Sequence, residues 1–252
     1  NTSQTLTGLS QGNYTVTVED RHGYTASASG TVHQPSAPLS ASIDNQTNVS
    51  CYGGSDGSVS ISASGGTPSY QFNIGGGFQS GNSFNGLSSG DYVVTVQDNN
   101  GCTTSVNVNI TQPSQLAASI GSQTNVDCYG NSSGSVTISA SGGTSPYDYD
   151  IGSGYQSNGT FTNLSQGSYT VTVQDDHGCT TTVNVNISEP SALSVSIASQ
   201  TNVSCNGEAD GSVSINASGG TSPYDYNIGS GYQSNNTFNG LTAGNYTVTV
   251  QD

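Results

Sequence analysis

The stretch SASGGTSPYDYDIGSGYQSN (139–158) returns almost unchanged as NASGGTSPYDYNIGSGYQSN (216–235) and more loosely as SASGGTPSYQFNIGGGFQSG (62–81). Outward from it the same spacing of 77 holds. It separates Cys51, Cys128 and Cys205, Cys102 and Cys179, Pro113 and Pro190, and Ile43, Ile120 and Ile197. Residues 1–35 align with 79–113, as in NYTVTVED (13–20) on DYVVTVQD (91–98). The chain thus reads as the C-terminal part of one repeat (1–35), two complete repeats (36–113 and 114–190) and the N-terminal part of a fourth (191–252). The expectation is a piece of a longer array, without initiator Met or signal peptide. A period of 77 exceeds the roughly 20–50 residues of a solenoid coil and suits a small self-contained domain.

Within residues 36–113 the alternation in GSVSISAS, DYVVTVQD and TTSVNVNI predicts strands. They are expected near 40–47, 57–64, 69–75, 79–86, 91–98 and 102–111. Turn chemistry separates them: GGSDG at 53–57, GGTP at 65–68, GGG at 75–77, SSG at 88–90 and DNNG at 98–101. No apolar stripe of helical period occurs, so the fold class is all-β: tandem Ig-like antiparallel β-sandwiches. A Leu-x-x-Gly-x-Tyr pattern, Leu9 to Tyr14, Leu87 to Tyr92, Leu164 to Tyr169 and Leu241 to Tyr246, predicts a tyrosine corner or an ordinary core tyrosine.

Composition excludes several functions. Of 252 residues one is basic (Arg21) and sixteen are acidic, a formal charge of −15, with no lysine at all. Nucleic-acid binding lacks its electrostatic driving force, and lysine-based chemistry is impossible. No run approaches the roughly 20 apolar residues of a membrane-spanning helix. The three histidines, His22, His33 and His177, form no catalytic constellation, because His22 and His177 hold one turn position in different repeats. No enzyme is expected.

Register pairs Cys51 with Cys102 and Cys128 with Cys179 as intra-repeat disulfides, with Cys205 left for a cysteine near position 256. Tyr24 takes the second cysteine's place in the first, partial repeat. A loop of roughly 50 residues closed in this way would contribute on the order of 4 kcal/mol to a small domain. Disulfides place the chain outside the cell.

Taken together, Cys51, Gly53, Asp56-Gly57-Ser58, Gly65-Gly66-Thr67, Tyr70, Leu87, Gly90, Tyr92, Asp98, Gly101-Cys102 and Gln112-Pro113 resemble the SprB-type repeat. That family occurs in very long surface adhesins of gliding bacteria and in related secreted proteins. The resemblance covers essentially the whole chain. It implies Ig-like sandwiches strung into a cell-surface or extracellular filament, and no catalysis. Three departures stand out: Tyr24 for cysteine, Pro68-Ser69 transposed relative to Ser145-Pro146, and Ser133 in place of the loop aspartate.

The acids admit two readings. Asp20, Asp98, Asp175 and Asp252 each follow a tyrosine-led strand, and three visibly open Asp-x-x-Gly, which is type I turn chemistry. Alternatively these residues, with Asp56 and Asp210, hold structural Ca²⁺, the one cofactor considered, since nearly no cation is available to pair them. Were Cys51 bonded to Cys102, Asp56 would lie near Asp98. Tyr147 and Tyr149 alternate with Asp148 and Asp150, as Tyr224 and Tyr226 do with Asp225 and Asn227. Core packing is the default for these rings. A sugar-binding array using them, or Tyr155 and Tyr232, is the rival function.

Thirteen Asn-x-Ser/Thr sequons, among them Asn13, Asn45, Asn109, Asn163, Asn186, Asn216 and Asn245, make glycosylation a further expectation. The junctions VHQPSAPLS (32–40), ITQPSQLAA (110–118) and ISEPSALSV (187–195) are short and proline-bearing, which predicts semi-rigid spacers and an extended rod. The function expected is a structural or adhesive segment of an extracellular or cell-surface fibre. Its partners are neighbouring repeats or copies of itself, or a surface polysaccharide, with no nucleic acid and no membrane insertion. Assembly by strand exchange between subunits is a third reading.

Overall fold

The structure, a computed structural model, describes residues 4–252. Among them every regular element is a strand and every pairing is antiparallel. Two compact units divide the chain, residues 1–112 and 113–252.

In the first unit, β1 (Gly12–Glu19) and β2 (Thr25–Val32) form a hairpin. The complete repeat that follows has β3 (Ser40–Thr47), β4 (Gly57–Ser64), β5 (Gln71–Asn73), β6 (Ser83–Leu87), β7 (Gly90–Gln97) and β8 (Thr103–Ile110). These make two three-stranded sheets, β3-β4-β6 and β5-β7-β8. The chain crosses between sheets after β4, β5 and β6, then closes with the β7–β8 hairpin.

In the second unit, β9 (Ala117–Thr124), β10 (Gly134–Ser141), β11 (Tyr147–Asp150), β12 (Thr160–Leu164), β13 (Gly167–Asp175) and β14 (Thr180–Ile187) repeat that topology. β15 (Ser194–Thr201), β16 (Gly211–Ser218), β17 (Asp225–Asn227), β18 (Thr237–Leu241) and β19 (Thr249–Gln251) follow it as far as the chain runs. Val195, Ile197, Leu241, Tyr246 and Val248 line a groove beside β15 and β18.

Period-two alternation builds the core. Val59 and Ile61 of β4, Phe84 and Leu87 of β6, Phe72 of β5, Val94 and Val96 of β7, and Val108 and Ile110 of β8 point into one cluster with Val49. The second complete repeat assembles the same set around Val136, Ile138, Tyr149, Val171, Val173 and Val185. Serines, threonines and asparagines alternate outward between them. A bulge at Asp44, between the pairs Ile43–Ile61 and Asn45–Ser60, shifts the register of β3 midway.

The expected strands at 69–75 and 79–86 are shorter than predicted, and the reason is local. Asn73 Oδ1 accepts the N–H groups of Gly75 and Gly77, which bends the chain out of the sheet. A single bridge, Phe72 to Gln79, then closes the loop. The tyrosine corner forms in all four repeats: Tyr14, Tyr92, Tyr169 and Tyr246 donate to the carbonyls of Ser10, Ser88, Ser165 and Thr242 at 2.8, 3.0, 3.0 and 3.0 Å.

Ile61 is fully buried, whereas Val93 on β7 is 55% exposed. Ile61→Ala is expected to lower stability by about 2–5 kcal/mol and Val93→Ala by less than about 0.5 kcal/mol. Urea denaturation of the two variants checks the inward and outward faces of the sandwich.

Candidate functional site

Each complete repeat has two differently built ends. At one, Asp98 leaves β7 and is only 5% exposed. Its Oδ1 accepts the N–H groups of Asn100 and Cys102 at 3.0 and 2.8 Å, and its Oδ2 accepts that of Thr67 at 2.9 Å. One carboxylate thus ties the β7–β8 turn to the loop after β4. The Gly101 N–H closes the turn on the Asp98 carbonyl at 3.0 Å, as the Asp-x-x-Gly pattern requires. The backbone N–H of Thr67 is the chief cause holding the Asp98 carboxyl below its ordinary pKa; those of Cys102 and Asn100 add to it against desolvation.

Two glycines make this approach feasible. A Cβ on Gly66, at φ +58, would stand 2.6 Å from Asp98 Oδ2, and one on Gly65 would stand 2.0 Å from the Pro38 carbonyl. Tyr70 donates to the Gly65 carbonyl at 2.7 Å and fixes the loop from beneath. Asp175 repeats the arrangement with Thr144, His177 and Cys179, and Tyr147 with Gly142. Asp252 accepts from Thr221 at 2.7 Å. Asp20 accepts from His22 and Tyr24 within its own turn.

At the other end lies the cysteine loop. Asp56 accepts both the N–H and the hydroxyl of Ser50, and Asp210 does the same with Ser204 at 3.0 and 2.5 Å. In the middle repeat the partners have exchanged places. Ser133 donates its hydroxyl to Asp127 Oδ1 at 2.5 Å and accepts the Asp127 N–H at 3.0 Å. The departure at Ser133 therefore keeps the bond and reverses its polarity. The Ser133 hydroxyl is the leading cause of a lowered Asp127 pKa, as the Ser204 hydroxyl is for Asp210. Gly53 donates to Gln112 Oε1 at 2.7 Å and Gly130 to Glu189 Oε2 at 2.8 Å, which gives Gln112 and Glu189, before Pro113 and Pro190, a role in holding the cysteine loop.

These two ends overturn the predicted disulfides. Cys51 is disulfide-bonded while Cys102 is a free thiol; Cys179 is disulfide-bonded while Cys128 is a free thiol. Cys205 is also free. Neither Cys51–Cys102 nor Cys128–Cys179 forms. The Cys51 loop is tied to the far end of β8, where Val49 N–H meets the Thr111 carbonyl, whereas Cys102 precedes the start of β8. Eight extended residues at about 3.3 Å each span roughly 26 Å, far beyond the roughly 7 Å limit between Cα atoms of a disulfide. For the same reason Asp56 does not lie near Asp98.

Among the described residues no three His, Cys, Asp or Glu side chains gather to hold a metal ion. Ca²⁺ requires about six to eight oxygens, and the acids proposed for it, Asp20, Asp56, Asp98, Asp175, Asp210 and Asp252, sit singly in turns or loops with backbone or hydroxyl donors on their oxygens. The residues present do not fit a Ca²⁺ site built from Asp56 with Asp98.

The paired tyrosines turn inward. Tyr149 and Tyr226 are buried, and Tyr147 and Tyr224 pack against the same cores; burial raises the Tyr149 pKa. Tyr155 and Tyr232 are 47% and 49% exposed. Asn13, Asn45, Asn109, Asn163, Asn186, Asn216 and Asn245 are all exposed.

Sequence reasoning missed a clamp formed by Gln46 and Asn48. Gln46 Nε2 donates to the Asn109 carbonyl at 2.8 Å, and Asn48 Oδ1 accepts the Thr111 N–H at 3.1 Å. Gln123 and Asn125 do the same for Asn186 and Ser188. The recurrence of Gln-Thr-Asn at 46–48, 123–125 and 200–202 was the available signal.

The family model described as SprB repeat matches residues 43–77, 120–154 and 197–231. A search of curated proteins finds no match. Among solved structures, the three N-terminal domains of the highly immunogenic outer capsid protein of bacteriophage RB49 align at 12% identity and TM-score 0.39, covering 75% of this chain and 74% of that one. A three-Ig segment of titin aligns at 13% identity and TM-score 0.33, covering 87% and 88%. A tetra-tandem repeat from the extending region of a large adhesion protein aligns at 17% identity and TM-score 0.28, covering 96% and 73%.

The lowered pKa of Asp98 sets a pH dependence. A carboxyl whose folded pKa lies below its unfolded one, about 3.9, contributes its full stabilisation above the unfolded value and loses it as pH falls through the folded value. Asp98→Asn is therefore expected to destabilise the chain most at neutral pH, with the gap to the parent closing as pH falls below about 4. Thermal melts of both proteins between pH 7 and pH 2 check this; a gap independent of pH contradicts it.

Proposed function

We propose that this chain, three tandem stretches of which match the SprB repeat, is a surface adhesin-like segment whose work is to span distance outside the cell. The observation that carries this reading is repetition without convergence. Each complete repeat closes its own core and ties its own loops. The polar side chains act mainly on backbone of the same repeat, and among the described residues no set of acids, histidines and cysteines gathers to hold a metal. The reading assigns the chain no reaction. Its partners are neighbouring repeats or further copies, and its place is the outer surface or the secreted material. Scarcity of lysine and arginine serves this role, since trypsin has a single possible site, after Arg21.

Antibodies raised against the 252-residue chain should label intact cells of the source organism, and a brief protease treatment of those cells should remove the label. Labelling only after permeabilisation would overturn the reading.

One observation favours sugar binding as a second reading. Phe78, Tyr155 and Tyr232 occupy one loop position in three repeats, and all three rings are exposed. Spaced aromatic faces of that kind suit stacking on a polysaccharide. Tyr155→Ala with Tyr232→Ala should then abolish retention on the polysaccharide without changing the melting temperature. Unchanged retention removes this reading.

A further inference from the structure

Within the second unit the residues that join a complete repeat to its successor, 188–192, are nearly all anchored. Ser188 belongs to the preceding repeat: its N–H donates to Asn125 Oδ1 at 3.2 Å, and its carbonyl accepts the Val126 N–H at 2.9 Å. Glu189 does too, since its Oε2 accepts the Gly130 N–H at 2.8 Å. Ser191 and Ala192 belong to the following repeat. The Ser191 carbonyl accepts the Gly220 N–H at 2.7 Å. Gly219 crosses the Ala192 carbonyl so closely that a Cβ there would stand 2.1 Å from it. Only Pro190 lies between the two anchored pairs.

These two repeats also touch directly. The Thr221 hydroxyl, in the Gly-Gly-Thr loop of the following repeat, donates to the Asp127 carbonyl in the cysteine loop of the repeat before, at 3.4 Å. Each partner is fixed within its own repeat. Asp252 Oδ2 accepts the Thr221 N–H at 2.7 Å, and Tyr224 donates to the Gly219 carbonyl at 2.6 Å. Asp127 Oδ1 accepts the Cys128 N–H at 2.8 Å and the Ser133 hydroxyl at 2.5 Å. A bond as long as 3.4 Å adds little strength. It marks an alignment that the anchored junction sets.

We propose that the cysteine-loop end of a repeat is a docking surface for the Gly-Gly-Thr end of the repeat after it, and that the junction is a fixed joint instead of a hinge. Pro190 completes the joint. Its ring holds φ at about −65° and restricts Glu189 to extended backbone, while the residues on either side are held by opposite repeats. The same chemistry recurs at each half of the earlier junction, within its own unit. In the first unit Thr111 and Gln112 hold Asn48, Val49 and Gly53. In the second, the Ser114 carbonyl accepts the Gly143 N–H at 2.8 Å. The value of such a joint rests on the spanning role proposed above, because a chain that cannot fold back at its junctions keeps its reach.

Residual dipolar couplings of the whole 252-residue chain test the joint. Alignment is measured separately from the backbone amides of β9–β14 and of β15–β19. The expected result for the parent is one alignment tensor shared by both sets. Glu189→Ala combined with Pro190→Gly should split it into two unlike tensors, while the amides of the buried Val171 and Ile215 keep their shifts. Glu189→Gln should keep the single tensor, since Gln112 accepts the equivalent Gly53 N–H in the first complete repeat. Two unlike tensors in the parent or in Glu189→Gln, or a single tensor in the double variant, would overturn the proposal. Surface labelling of cells reads where the chain sits and the couplings read how it bends, so either can fail without the other.

Discussion

The bond between a buried aspartate and backbone N–H groups from two different loops organises the head of every complete repeat. Asp98 and Asp175 leave their strands already inside the protein, where a carboxylate is tolerated only if its oxygens are bound. Three backbone donors meet that need in each case. The demand fixes other residues in turn. Only glycine fits beside the Asp98 carboxylate at position 66, and the loop must pass directly over the Pro38 carbonyl. The turn cysteine is held because its own N–H is one of the donors. Thus one anion places the entry of the repeat, the Gly-Gly-Thr loop and the β7–β8 turn.

A chain with one arginine and no lysine has to balance its acids in this internal way. The cysteine loop shows the same economy with a different donor. Ser50 serves Asp56, Ser204 serves Asp210, and in the middle repeat the acid and the hydroxyl have traded positions without loss of the bond. What persists from repeat to repeat is therefore the interaction and not the residue at either site. With one arginine, no lysine and a formal charge of −15, the protein has few cationic side chains with which to build surface ion pairs. Such pairs contribute little in any case when exposed.

Much of this was legible in the sequence. The 77-residue register, the alternating strands and the tyrosine corners all follow from local chemistry that one repeat contains: Val59 and Ile61 two apart, Tyr92 after Leu87 and Gly90. The Asp-x-x-Gly turns were likewise readable, because a turn's bonds stay within four residues. What escaped was whatever depends on which end of the sandwich a loop occupies. Cys51 and Cys102 share a register but sit at opposite ends of β8, and no spacing rule separates a pair across a sheet from a pair along it. The second donor to Asp98, from Thr67, lies 31 residues away and carries no sequence mark of its own. The Gln46–Asn48 clamp was visible as a recurring triplet, yet its partners are 63 residues off.

Carbon-detected NMR titration of the Asp98 side-chain carboxyl tests the organising bond most directly. The account predicts that Asp98 titrates below the ordinary aspartate range, and that the amide protons of Thr67, Asn100 and Cys102 shift together with it as it protonates. A carboxyl that titrates at or above the value of a free aspartate, with those three amides indifferent to its charge, would contradict the account.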